Sequence, residues 1–301
     1  MDKIDILEYF PNNIKRILFK EINITNYKLL EEIRIRVNRP IILKFNNELK
    51  KVDYIISTED ILRIVEYITE NSIYSYQKQI CEGYITLKCG HRVGISGNVV
   101  VENNKVININ YIYSLNFRIS KEIIGVAENI AKVLYNNGNI ENTLIISPPG
   151  AGKTTILRDL VRILSDYKTI GVVDERGEIS AMYKNIPQNN LGVNVDILSN
   201  IPKSIGMKML IRSMAPEIIC ADEIGTKEDI EAIKYAITSG VKGIFTAHGD
   251  NIENIKENPV LKELIDSNLV ENIVILHKND KKNIKYINNI KKNIDFQAKI
   301  V

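Results

Sequence analysis

Apolar runs and amphipathic stretches alternate through the second half of the chain, from about residue 121. The runs NTLIIS, TIGVVDE, PEIICADEI and GIFTAHG each hold consecutive apolar residues, whereas TTILRDLVRILSDY and KEDIEAIKYAITSG carry apolar residues at helical spacing. Continuous apolar strands that alternate with helices are typical of a parallel sheet covered on both faces. The pattern therefore predicts an α/β domain with a mainly parallel sheet over residues 121–301.

The first half of the chain has a different pattern. The stretch EEIRIRV alternates strictly, so that Ile33, Ile35 and Val37 face one way while Arg34 and Arg36 face the other. The stretch STEDILRIVEYIT begins with a helix-capping signal on its Ser or its Thr, and GHRVGISGNVVVENNKVININ predicts strands joined by a turn at its paired asparagines. We expect a smaller α+β domain over residues 1–120.

Composition and charge narrow the class of protein. The chain has 301 residues and a net charge of only +3, and its densest basic stretch, residues 278–293, is expected to be a solvated face rather than a surface for duplex nucleic acid. The three cysteines form neither a disulfide framework nor a tetrahedral zinc site, which favours a reducing cytosol. We also expect no signal peptide and no membrane-spanning segment.

A phosphate-binding loop follows the first apolar strand of the second half. Residues 147–155 read SPPGAGKTT, which matches G-x-x-x-x-G-K-[ST] except that Ser147 stands at the first glycine. The first glycine serves the turn, so serine is acceptable there if its φ is negative. Lys153 is expected to reach the β- and γ-phosphates of ATP, and Thr154 to bind Mg²⁺. The predicted nucleotide-binding residues are Pro149, Gly150, Ala151, Gly152, Lys153, Thr154 and Thr155.

Two consecutive carboxylates end a later apolar strand, about 70 residues after the loop. Asp222 is expected to hold Mg²⁺ through water, and Glu223 to orient and deprotonate the attacking water. A second acidic cluster, VVDERGEIS, ends another strand and contains Asp174 and Glu175. His248 also lies at a strand end, where it is either structural or a sensor of the γ-phosphate, since ligands bind at the carboxyl ends of parallel strands.

The order of these motifs resembles the ATPases of type II and type IV secretion systems, which belong to the RecA-like P-loop group. VVDERGEI looks like their Asp box and GVKGIFTAHGD like their His box, although the His box lacks the usual second Thr-His pair. The N-terminal stretches LEEIRIRVNRP, CEGYITLKCGHRVGISGNVVV and SLNFRIS resemble the stage III sporulation protein AA family more closely. The site residues implied by the resemblance are Lys153, Thr154, Glu175, Asp222, Glu223 and His248.

The resemblance implies a RecA-like ATPase that uses ATP and Mg²⁺ and assembles into a homo-oligomeric ring, taken to be a hexamer. It implies a cytoplasmic location at the mother-cell membrane, reached through membrane proteins of the sporulation channel, where the ATPase drives or regulates transport toward the forespore. ATP at a ring interface needs an arginine from the neighbouring protomer. The sequence leaves this residue open among Arg34, Arg36, Arg92, Arg118, Arg176 and Arg212.

The sequence leaves two other functions as alternatives. A RecA-like motor acting on nucleic acid would need basic residues interleaved with stacking aromatics, but the tyrosine-rich stretches carry almost no Lys or Arg and the chain has no Trp. Stable binding to nucleic acid is therefore not expected. A regulatory switch that binds ATP without turnover would not need the water-activating carboxylate of Glu223.

Overall fold

The computed structural model describes residues 5–46, 48–136, 138–277, 283–288 and 295–299, and for the last two segments only the backbone is described. The chain divides into two compact units. The first contains the described residues of 1–121 together with Tyr183–Gln188, and the second contains the remainder. Within the first unit, the side chains of Tyr183 and Lys184 both contact the Glu70 carboxylate.

The first unit is built on a six-stranded antiparallel sheet in the order β3-β2-β1-β6-β5-β4. Its strands are β1 (Leu30–Arg36), β2 (Pro40–Phe45), β3 (Glu48–Ile55), β4 (Tyr84–Thr86), β5 (Arg92–Glu102) and β6 (Lys105–Arg118). Its helices are α1 (Asn12–Glu21), α2 (Ile24–Tyr27), α3 (Thr58–Ile68) and α4 (Gln77–Cys81), with 3-10 turns at Asp5–Tyr9, Ile73–Tyr76 and Lys88–Gly90.

Local sequence signals position the elements of this unit as expected. In β1, Ile33 and Ile35 are buried in the core, whereas Arg34 on the other face is partly exposed. Ser57 is the residue that caps α3, and it forms a capping box with Asp60. The turn between β5 and β6 falls at residues 103–104, where both asparagines have positive φ, 49° and 59°.

The second unit contains an eight-stranded sheet in the order β11-β10-β12-β13-β9-β14-β15-β16. The first six strands in this order are parallel, and β15 and β16 pair antiparallel at one edge. The strands are β9 (Thr143–Ser147), β10 (Ile170–Asp174), β11 (Val195–Ser199), β12 (Ile218–Ala221), β13 (Lys242–His248), β14 (Asn272–Leu276), β15 (Asn283–Asn288) and β16 (Asp295–Lys299), beside a ribbon of β7 (Tyr135–Asn136) and β8 (Asn139–Ile140).

Helices cover both faces of this sheet. They are α5 (Glu128–Leu134), α6 (Lys153–Leu164), α7 (Lys203–Met214), α8 (Lys227–Thr238), α9 (Ile252–Glu257) and α10 (Pro259–Asp266). Consecutive strand residues enter opposite cores: Leu144 and Ile146 pack in the core with α7–α10, and Ile145 packs in the core with α5 and α6. Burial on both faces explains why the strands are continuously apolar. The predicted fold class, an α/β domain with a mainly parallel sheet preceded by a smaller α+β unit, is thereby confirmed.

Among the described residues, no helix combines the length and the apolar character needed to cross a membrane. Of the basic stretch 278–293, only 283–288 are described, as the backbone of β15, so the predicted solvated face lies outside the described side chains.

Candidate nucleotide site

Three neighbouring parallel strands bring the predicted loop, Asp222, Glu223 and His248 together at the carboxyl ends of the strands. The strand β13 lies between β9 and β12, and its last residue, His248, is in register with Ser147 at the end of β9. Asp222 and Glu223 directly follow β12 on the other side of β13. The carboxyl ends of adjacent parallel strands are where open α/β sheets bind ligands.

The loop after β9 has the backbone that a phosphate cradle requires. Ser147 is the last residue of the extended strand, and its buried hydroxyl donates a hydrogen bond of 3.0 Å to the Pro148 carbonyl. The turn instead uses Gly150 and Gly152, whose φ values of 76° and 99° favour glycine. The expectation that serine is tolerated at position 147 therefore agrees with its extended backbone.

The same loop leaves room for a phosphate. A Cβ atom built on Gly150 or Gly152 would meet nothing within 4 Å. The helix α6 begins at Lys153 with no side-chain cap and no acidic residue in its first turn, so its positive end faces this space. One expected donor is already used, because the Ala151 N–H donates to the Pro148 carbonyl over 3.3 Å. The remaining features fit a polyphosphate.

Thr154 and Asp222 form the pair expected at a magnesium site. The Thr154 hydroxyl donates to Asp222 Oδ2 over 2.6 Å, and the Thr246 hydroxyl contacts Asp222 Oδ1. In the part of the chain that the structure describes, no cluster of three or more His, Cys, Asp or Glu residues could hold a metal by itself. Hard oxygen ligands from one hydroxyl and one carboxylate, completed by phosphate and water, are what Mg²⁺ prefers.

Glu223 lies at the centre of a cluster of basic side chains. Its Oε1 atom is 3.2 Å from Lys153 Nζ and 3.1 Å from His248 Nε2, and its Oε2 atom forms an ion pair with Arg176. Lys153 is itself buried, with 6% of its surface exposed, and its Nζ atom lies 3.5 Å from His248 Nε2. The cradle lysine and the proposed catalytic carboxylate are thus already in one hydrogen-bonded group.

The charges around Glu223 keep its carboxylate ionised. Burial acts to raise the pKa of Glu223, but its hydrogen bond and ion pair with Lys153, together with the charges of Arg176 and His248, lower the pKa below its ordinary value of 4.5. Glu223 also has a φ of 55°, in the left-handed region that residues other than glycine rarely occupy. Backbone strain of this kind concentrates at functional sites.

The two acids at the end of β10, Asp174 and Glu175, have different roles. Asp174 is structural, and Glu175 faces the site. The buried Asp174 carboxylate accepts hydrogen bonds from the backbone of residues 178–180 and from the Ser180 hydroxyl, at 2.6 to 3.1 Å, so it holds the following loop. Glu175 forms an ion pair with Lys203 instead of contacting the cradle. A cavity of about 590 Å³ is lined by Glu175, Arg176, Lys203, Glu223 and His248, among others.

Two site residues were not identified from the sequence. Thr246 lies two positions before His248 within the His box stretch, but nothing in the sequence shows that its hydroxyl reaches both Asp222 and Glu223. Lys203 is the first residue of α7, and its pairing with Glu175 depends on how that helix packs.

Comparison with known proteins agrees with this fold. The chain is similar to the Legionella pneumophila ATPase DotB, with a TM-score of 0.57, 16% identity and coverage of 88% of this chain and 76% of that one. It is also similar to the pilus retraction motor PilT bound to ADP, with a TM-score of 0.56, 14% identity and coverage of 86% and 76%. At these identities the similarity establishes the fold alone, which this chain shares with DotB and PilT.

Sequence comparison identifies the family. Stage III sporulation protein AA of Bacillus subtilis (strain 168) is 40% identical over 266 residues, which cover 86% of each chain. The family model described as "Sporulation stage III, protein AA" matches residues 1–294. The resemblance noted in the N-terminal and motif stretches is confirmed, and the chain belongs to the sporulation stage III protein AA family.

Proposed function

We propose that this protein is a Mg²⁺-dependent ATPase that hydrolyses ATP at the carboxyl edge of its parallel sheet. The observation that carries the proposal is the convergence of the P-loop and the strand-end acids: Thr154 contacts Asp222, and Lys153 contacts Glu223. A cradle lysine, a hydroxyl and two carboxylates in this arrangement supply the parts that phosphoryl transfer to water needs.

Each residue has a distinct task in this proposal. Residues 149–155 bind the phosphates, with Lys153 neutralising the β- and γ-phosphates. Thr154 and Asp222 would hold Mg²⁺, and the bound ion would neutralise negative charge that develops during the reaction. Glu223 orients the attacking water and accepts its proton, a task that requires the ionised form favoured by the lowered pKa.

Glu223 must change partners during this reaction. Its carboxylate contacts Lys153, the same group that binds phosphate in the proposal. When Lys153 turns to the phosphates, Arg176 and His248 remain beside Glu223 and keep the carboxylate in position. His248 contacts both Glu223 and Lys153, which suits a role in sensing the γ-phosphate that Lys153 would bind. Glu175 lines the same cavity as Glu223 and His248, and its ion pair with Lys203 holds its carboxylate in place there.

In the cell, we place this activity at the mother-cell face of the sporulation channel. The family membership and the ATPase fold support a homo-oligomeric ring, taken to be a hexamer, in which hydrolysis depends on assembly. The protein is cytoplasmic and reaches the membrane through membrane proteins of the channel, where it drives or regulates transport. Stable nucleic-acid binding forms no part of the proposal.

The test is release of phosphate from ATP by the purified full chain, with Mg²⁺ and with a chelator, together with the molecular mass in solution with and without ATP. We expect Mg²⁺-dependent release and a larger assembly with ATP. ATP binding without release, even with the membrane partners present, would favour a regulatory switch. Release that requires DNA or RNA, with binding that weakens steeply with salt, would favour a nucleic-acid motor.

A further inference from the structure

We infer that Thr246 is the positioning residue for both acids of the site, Asp222 and Glu223. The inference rests on the proposed function and deepens it, because it names the residue that sets the geometry of the magnesium ligand and of the proposed base. Thr246 lies two residues before the end of the central strand β13, and none of its surface is exposed. It therefore acts through other side chains rather than on ATP.

One residue holds three consecutive residues after β12. The Thr246 hydroxyl accepts a hydrogen bond of 2.8 Å from the Glu223 N–H and contacts Asp222 Oδ1. The Thr246 carbonyl accepts a hydrogen bond of 2.8 Å from the Ile224 N–H. The turn that carries both acids is thus attached to the neighbouring strand through a single side chain and its own backbone.

The direction of these hydrogen bonds follows from the inventory of donors. A backbone N–H can only donate, so the Thr246 oxygen must accept from Glu223. The single proton of the hydroxyl is then free to go to the Asp222 carboxylate, which gives a charge-assisted bond. Since Thr154 donates to the other oxygen of the same carboxylate, two hydroxyls fix the orientation of Asp222 from opposite sides.

The same contacts stabilise an unusual backbone. Glu223 has a φ of 55°, and such conformations persist only where surrounding contacts hold them. The N–H groups of Glu223 and Ile224 belong to the two peptide units that flank the Glu223 Cα, and both are bound to Thr246. Without the hydroxyl, the Glu223 N–H would lose its partner in a part-buried position, and the turn would relax toward a commoner conformation.

A decisive test compares three substitutions of nearly constant shape. Thr246→Val removes the hydroxyl, and Thr246→Ser keeps it. The matched control is Thr143→Val, because Thr143 is also fully buried, lies in the adjacent strand β9 and donates to the Glu141 carbonyl at 2.9 Å, away from both acids. Each full-length variant is measured for phosphate release, for the Mg²⁺ dependence of binding of a fluorescent ATP analogue, and for thermal unfolding.

Loss of supporting hydrogen bonds around a metal ligand typically costs 10- to 100-fold. We therefore expect Thr246→Val to raise the Mg²⁺ concentration for half-maximal analogue binding by about 10-fold and to lower turnover by roughly 100-fold. Thr246→Ser should stay within a few-fold of the parent, and Thr143→Val should change only the unfolding temperature.

The results of these measurements distinguish a wrong role for Thr246 from a wrong proposed function. If the parent shows Mg²⁺-dependent turnover and Thr246→Val matches it in turnover and Mg²⁺ dependence, the inference is wrong while the function stands. If the parent binds the analogue without turnover, hydrolysis fails as the function, and the Mg²⁺ shift alone decides the role of Thr246. If Thr246→Val does not fold, Thr246→Cys, a weaker hydrogen-bonding group, is compared with Thr246→Ser, and equal Mg²⁺ dependence in these two would overturn the inference.

Discussion

The Thr154 hydroxyl lies 2.6 Å from Asp222 Oδ2, although 68 residues separate them in the chain. This contact joins the first turn of α6 to the end of β12 across the intervening strand β13. A hydroxyl and a carboxylate in contact at the positive end of a helix form a ready place for a hydrated cation beside a phosphate.

Replacement of Lys153 by alanine should abolish tight nucleotide binding and leave the fold intact. Glu223 keeps Arg176 and His248 as partners, so its charge remains compensated. A charged hydrogen bond is worth about 1.5–3 kcal/mol, which corresponds to a loss of affinity of roughly 10- to 100-fold. Affinity is measured by fluorescence titration, and the control is Lys234→Ala, which removes a partly exposed lysine paired with Glu263. Unchanged affinity would rule out the cradle.

Asp222→Asn keeps the shape of the side chain but removes its charge. We expect ATP to bind with a Mg²⁺ requirement that rises by about 10-fold, since the metal loses the anionic group that would hold it, directly or through water. The measurement is analogue binding as a function of Mg²⁺ concentration. If Asp222→Asn instead binds normally and only turnover is lost, the roles assigned to Asp222 and Glu223 should be exchanged.

The pH dependence of stability provides an independent check on Glu223. Its pKa in the folded protein is lowered, so its ionised form stabilises the fold above the ordinary value of 4.5, and this contribution is lost as pH falls through the lower folded value. The difference in free energy of unfolding between the parent and Glu223→Gln should therefore be constant near neutral pH and should change below 4.5. Urea unfolding across this range measures it, and a constant difference throughout would mean that the pKa is not lowered.

In the proposed ring, Arg34 and Arg36 on β1 are the first pair to test as the arginine from a neighbouring protomer, out of the six arginines that the sequence leaves open. Arg34 is partly exposed and forms an ion pair with Glu32 on the same strand. An arginine finger contributes roughly 10³- to 10⁵-fold to turnover, so replacement of both residues by alanine should lower turnover by at least about 1,000-fold.

Mixing tests whether these arginines act between protomers. The double alanine variant and Glu223→Gln should each be inactive alone, and activity should return in mixed rings. Arg63→Ala, in the same unit and paired with Glu59, is the control. Full activity of the double variant by itself would make Arg34 and Arg36 surface charges and direct attention to Arg92 and Arg118.

Much of the second unit was predictable because its signals are local. Continuously apolar strands such as LIIS and IICA are typical of strands buried on both faces. The consecutive glycine, lysine and threonine residues at 152–154 predict that a phosphate-binding loop ends and a helix begins there. Polar residues at the ends of several parallel strands must meet at one edge of the sheet. These rules were enough to identify Asp222, Glu223 and His248 as neighbours of the loop.

The parts that could not be predicted depend on strand order and long-range packing. Sequence does not show that β13 lies between β9 and β12, so the bridging hydroxyl of Thr246 was missed. The pairing of Glu175 with Lys203 depends on the packing of α7. Tyr183–Gln188 groups with the first unit, and Tyr183 and Lys184 contact Glu70 more than 100 residues earlier in the chain. No periodic pattern in the sequence indicates such contacts. The division at residues 1–120 and 121–301 therefore stays a proposal.

The most direct test of the central claim is the behaviour of Glu223→Gln. The amide preserves the shape of the side chain but cannot accept the proton of the attacking water, so we expect normal ATP binding and a loss of phosphate release of at least about 100-fold. Both quantities are measured on the same full-length preparation, by analogue titration and by steady-state phosphate release with Mg²⁺. Phosphate release at the parent rate, with ATP binding unchanged, would contradict the assignment of Glu223 as the base of an ATPase.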